Sequence, residues 1–117
     1  MKQQRHRRAL NHVATFFKTT HKGDAITVMM GWDKPLQGFF MVIEDKTNKE
    51  DGFIYSNLED PELAQAGGFA QTIEPFVNKL DELGIDVPIE MLEGVEMDGI
   101  FNVGNKQAHY GITGQAS

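Results

Sequence analysis

Two runs of this chain, residues 24–30 "DAITVMM" and 39–44 "FFMVIE", constrain its fold more than any other stretch, because neither offers water a polar face. Successive side chains of a strand point to opposite sides. Read that way, the first run sets Ile26, Val28 and Met30 against Ala25, Thr27 and Met29. The second sets Phe39, Met41 and Ile43 against Phe40, Val42 and Glu44. An antiparallel sheet with one wet face alternates apolar and polar residues. Here both faces ask for cover, and one helix covers only one of them. "GFIYSN" supplies a third strand around Phe53 to Ser56, and the polar linker "DKTNKEDG" before it ends in Asp-Gly, as a hairpin loop does.

The cover for one face is legible downstream. In "TIEPFVNKLDELG", Ile73, Phe76, Val77, Leu80 and Leu83 recur at helical spacing, with Thr72 as N-cap, Pro75 in the first turn and Gly84 as the stop. "DPELAQAGG" reads as one turn of helix capped by Asp60, with Pro61 at its first position. A short helix is expected from Pro88, turning Ile89, Leu92 and Val95 inward, and "IFNV" reads as a last short strand. Upstream, Leu10, Val13, Phe16 and Phe17 in "ALNHVATFFK" suit a short helix with one apolar stripe, ended by Gly23 and Asp24. The expected architecture is therefore α+β: a three- or four-stranded antiparallel sheet with an amphipathic helix on one face, plus an N-terminal helix. Residues 1–22 form a basic helix or arm, 23–103 the α+β domain, and 104–117, "GNKQAHYGITGQAS", a mobile tail.

Charge divides the chain unevenly. Residues 1–23 carry six basic residues and no acid, whereas the remaining 94 carry five basic and 17 acidic residues, a balance of −12. Three readings follow: the arm folds back on its own body, reaches the acidic face of a second copy, or touches an anionic polymer. The first two have their complementary surface in the same chain. Nucleic acid is disfavoured, since only Arg5, Arg7 and Arg8 cluster tightly and the acidic body repels the polymer. At 117 residues the chain fits one domain. It has no cysteine, which removes disulfides, thiolate nucleophiles and cysteine-bound zinc. No apolar run reaches the ~20 residues that span a bilayer. The basic start reads as an amphipathic segment rather than a secretion signal, because Asn11, His12 and Thr15 break its apolar stretch. The expected setting is the cytoplasm.

The turn "GWDKPLQG" joins the two apolar runs. Pro35 suits the second position of a type I or II turn, and Gly31 and Gly38 bracket the loop. One reading folds Trp32 and Leu36 back over the sheet end while Asp33 bonds loop amides. The other sets Trp32 at the tip as a recognition anchor beside Leu36, making Trp32, Asp33, Pro35 and Leu36 a candidate protein-binding site on the most apolar exposed patch. "GWDKPLQGFFMVIE" resembles a G-W-D-x-P-L-x-x-F-F pattern of small uncharacterised bacterial proteins, some of them from mobile elements. The likeness covers 14 of 117 residues. It implies a bacterial origin and a signature hairpin, and it carries no activity, ligand or catalytic residue.

Catalytic and cofactor patterns are missing. His6, His12, His21 and His109 form no HExxH or HxH pattern, the acids "DELGID" and "EMLEGVEMD" lack calcium-loop spacing, and Gly67-Gly68 precedes no phosphate-binding lysine. No metal or cofactor is implied, and the balance is against an enzyme without deciding the point. The reading is a non-catalytic protein-binding or regulatory module, self-associating as a homodimer. Three alternatives stand: a nucleic-acid-associated protein using the arm of Arg5, Arg7 and Arg8; a small-molecule binder or enzyme with a pocket near Trp32 and Tyr55; and an acidic mimic of nucleic acid that inhibits a host enzyme.

Overall fold

The computed structural model describes residues 12–45, 47 and 52–111. The chain is α+β, and its sheet has five strands in the order β4-β3-β2-β1-β5. These are β1 (His12–His21), β2 (Asp24–Asp33), β3 (Gly38–Asp45), β4 (Phe53–Ser56) and β5 (Lys106–Tyr110). The first four form an antiparallel meander, while β5 lies parallel to β1, so the sheet is mixed rather than antiparallel with three or four strands.

The largest departure from expectation is β1, where the sequence reads as a helix. Lys22 and Gly23 take positive φ of 53° and 87°, the pattern of a two-residue hairpin turn whose twist matches its strands. The residues read as a helix stop are thus a hairpin turn, and His21 pairs with Asp24 across it. Val13, Thr15 and Phe17 then fall on one face and are buried, with Phe16 on the other. Four β-branched residues and two phenylalanines among the ten favour a half-buried strand over a helix. Thr15 donates its hydroxyl to the carbonyl of its cross-strand partner Met30 at 2.7 Å, which satisfies that polar group in the core.

Strand β4 lies at one edge of the sheet and β5 at the other, so the chain between them must cross the whole sheet. It does so on a single face. Two 3-10 turns, Asn57–Glu59 and Pro61–Ala66, lead into helices α1 (Glu74–Leu83) and α2 (Ile89–Ile100). Asp60 caps the second turn by accepting from the Glu62 amide at 2.9 Å, with Pro61 beside it as expected. Helix α1 opens one residue later than read, with Ile73 and not Thr72 at the N-cap position; Thr72 Oγ1 still accepts from Glu74 N at 3.3 Å, and Gly84 closes the helix at φ 72°. Helix α2 turns Met91, Val95 and Asp98 inward and leaves Ile89 exposed, against the expected inward Ile89. Residues 100–103 end α2 and form a turn instead of a strand, and 106–110 of the expected tail are strand β5.

Under these helices lies the core: Phe17, Ile26, Val28, Met30, Trp32, Phe39, Met41 and Ile43 from the sheet, against Leu63, Phe76, Leu80, Ile85, Met91 and Val95. Register puts all eight sheet residues on the same face.

Candidate functional site

Because the crossover uses one face, the described helices leave the other face of the sheet without a layer. That face carries Ala14, Phe16 and Lys18 from β1, Thr27, Met29, Gly31 and Asp33 from β2, Phe40, Val42 and Glu44 from β3, and His109 from β5. Met29 and Val42 are cross-strand partners at its centre and both are half-buried. They border two shallow depressions. One, of ≈ 200 Å³, is lined by Met29, Asp33, Phe40, Val42, Leu58 and Phe69; the other, of ≈ 150 Å³, by Phe16, Thr27, Met29, Val42, Glu44 and Phe53.

Aromatic rings define the edges of this surface. Phe16 stacks on His109 with centroids 4.9 Å apart and planes 17° from parallel. Phe40 reaches over its cross-strand partner Gly31, which has no side chain: a Cβ there would meet Phe40 Cζ at 2.5 Å and the Val13 carbonyl oxygen at 1.8 Å. Beside β3, buried Asn57 accepts from the Met41 amide at 3.3 Å and donates to the Gly68 carbonyl at 2.7 Å. That pins the 57–69 segment, with exposed Leu58 and half-buried Phe69, along the rim. The centre of this surface is apolar and aromatic, with Lys18, Asp33, Glu44 and His109 around it.

The four hairpin residues read from sequence do not form one patch. Trp32 is 7% exposed and faces the helices, which overturns its expected place on an exposed patch. Its ring meets Phe39 edge-on at 4.8 Å, and its Nε1–H donates to Asn102 Oδ1 at 2.9 Å. Gln37 Nε2 donates to the same oxygen at 2.8 Å, so Asn102, held at φ 53°, ties the hairpin to the turn after α2. Asp33 belongs to the opposite face, where its carboxylate accepts from the Leu36 amide at 3.0 Å and shapes the loop. Pro35 and Leu36 are exposed at the tip. Arg5, Arg7 and Arg8 lie outside the described residues. Asn102→Ala is expected to lower stability by ~1–3 kcal/mol, the cost of leaving a buried donor unpaired, with a red-shifted Trp32 emission. Unchanged melting and emission would show that the indole finds another acceptor.

Tyr55 sits far from Trp32. Their partners on β3, Ile43 and Phe39, are four residues apart, roughly 13 Å along the strand. The Tyr55 hydroxyl donates to Asp60 Oδ2 at 2.6 Å, its ring packs edge-on to Phe76, and Lys79 Nζ stands 5.6 Å from the ring centroid. Burial and the Asp60 carboxylate push the Tyr55 phenol well above its usual value, while the Tyr55 hydrogen bond holds Asp60 below the usual carboxylate range. A depressed carboxylate contributes stability above its unfolded pKa that is lost as pH falls through the folded one. Tyr55→Phe is therefore expected to flatten the acid limb of the melting profile below about pH 4. A variant whose acid limb superimposes on the parent's would assign that limb to other groups.

Among the described residues, no three His, Asp or Glu side chains gather to hold a metal ion, and no helix is long and apolar enough to cross a membrane. No family model, curated protein or solved structure matches this chain. Sequence reading missed Phe16 and His109 as surface residues, because one was placed on a helix and the other in a tail. The signal for this face was present in the doubly apolar β2 and β3.

Proposed function

We propose that this chain is a non-catalytic binding module that assembles as a homodimer through the helix-free face of its sheet. The observation that carries this reading is the apolar centre of that face, Met29 and Val42 ringed by Phe16, Phe40, Phe53 and Phe69, with both helices on the far side. The five strands give this face an area of roughly 600 Å² at ~3.3 Å per residue and ~4.8 Å between strands. Two copies face to face would bury at least ~1,200 Å², the lower bound of stable interfaces. A two-fold axis running along β2 sets β1 over β3 of the copy, which brings Lys18 over Glu44, since both share the row of Thr27. Opposite charges at the rim with an apolar centre favour a second copy as the occupant.

Sedimentation equilibrium at tens of micromolar tests this. The expected result is twice the 13.1 kDa chain mass for the parent and the chain mass for Met29→Glu with Val42→Glu. A concentration-independent 13.1 kDa for the parent would overturn the proposal. The nucleic-acid alternative is expected to fail separately: no duplex DNA mobility shift in the low micromolar range at ~150 mM salt, where the Debye length is ~8 Å. A shift lost with Arg7→Ala plus Arg8→Ala would reinstate it.

A further inference from the structure

Two glycines adjoin Asp33 on the open face. On β2, Gly31 precedes it by two residues on the same side, and on β3, Gly38 is its cross-strand partner. Neither offers a side chain, and a phenylalanine takes the space over each. Phe40 reaches over Gly31, and Phe69 lies against Gly38, where an added Cβ would stand 2.6 Å from Phe69 Cβ. The half-buried Asp33 is therefore flanked by two aromatic residues. Met29, Val42 and Leu58 complete the ≈ 200 Å³ hollow between them.

The chemistry of this hollow selects its occupant. Asp33 is the single charged residue among the described ones that border it. Its chain neighbour Lys34 turns toward Gly104, beyond the end of α2, with Nζ 3.6 Å from where a Gly104 Cβ would stand. Lys18 and Glu44 share the row of Thr27, six residues back along β2 and roughly 20 Å away. His12 is the β1 partner of Asp33. A carboxylate between aromatic rings repels anions and attracts a cation, whose charge the ring faces also draw. Hydrogen-bond acceptors are largely taken. Asp33 Oδ1 accepts from the Leu36 amide, while Asn57 accepts from Met41 and donates to Gly68. A primary ammonium would leave donors unbonded here, whereas a nitrogen carrying only carbon substituents has none to satisfy. The volume lies below the roughly 300–1,000 Å³ of sites for drug-sized ligands, so the ligand is small.

We propose that this hollow binds a small quaternary ammonium, with Asp33 supplying the opposite charge and Phe40 and Phe69 the aromatic walls. Every group comes from one chain. The site thus goes beyond the dimer reading and needs no second copy.

Choline is the probe, and its neutral isostere, with carbon in place of nitrogen, is the control. The titration follows backbone amide NMR shifts at about pH 8, above the ordinary histidine range. Saturable shifts of Gly31, Gly38 and Phe69 are expected with choline and none with the isostere. Asp33→Asn keeps an oxygen for the Leu36 amide and is expected to weaken choline binding about ten-fold. Phe69→Leu keeps apolar bulk without a ring and is expected to weaken it about three-fold. Absence of saturable shifts in the parent, equal shifts with the isostere, or unchanged affinity in either variant would overturn the proposal. Sedimentation decides the homodimer separately. A choline-binding chain of 13.1 kDa would end the dimer reading and keep this site, and a dimer that ignores choline would do the reverse.

Discussion

Phe76→Ala is expected to destabilise the chain by ~3–5 kcal/mol, the range for truncating a fully buried phenylalanine. Phe76 is wholly inaccessible at the centre of the helix-covered core, with Tyr55 edge-on to its ring at 6.3 Å. Truncation removes transfer free energy and leaves a hole that the sheet on one side and α1 on the other cannot close without moving the backbone. Against a total stability of ~5–15 kcal/mol for a domain, the melting temperature is expected to fall by about 10–20 °C. Exposed Leu36→Ala at the hairpin tip serves as the comparison, with an expected change within ~0.5 kcal/mol. Thermal melts of the two variants decide the matter. A Phe76→Ala shift no larger than that of Leu36→Ala would mean that α1 does not carry the core.

Gly31→Ala is expected to cost at least ~3 kcal/mol, the upper end of the overpacking range. The added carbon would stand 1.8 Å from the Val13 carbonyl oxygen and 2.5 Å from Phe40 Cζ. A side chain can rotate away, but the carbonyl belongs to the β1–β2 ladder, and moving it opens the pairing of Ala14 with Gly31. Pairing Gly31→Ala with Phe40→Leu separates the two contacts. Relief of the ring contact alone is expected to recover less than half of the lost stability. Full recovery in the double variant would show that the ring, and not the backbone, requires glycine at this position.

What the sequence determined follows from local chemistry. Asp60-Pro61 starts a 3-10 turn and Gly84 ends α1, because capping and positive φ depend on residues only a few positions away. The doubly apolar β2 and β3 announced a sheet that wants cover on two sides, since strand alternation is a property of the chain itself. The segment at 12–21 was ambiguous at that level: Val13, Phe16 and Phe17 satisfy a short helical stripe as well as a strand. Only pairing with β2 on one side and β5 on the other decided for strand. Likewise, residues 106–110 have no apolar run to mark them, and their strand exists because β1 offers a free edge beside them. Trp32 was legible as special and its side was not. Its burial depends on Gly99 of α2 coming close enough that a Cβ would stand 3.2 Å from its ring, and on Asn102 reaching its Nε1–H, contacts some 70 residues away in the chain. The open face was decided last, by topology: with β4 and β5 at opposite edges, the connection between them crosses once, on one side, and covers only that side.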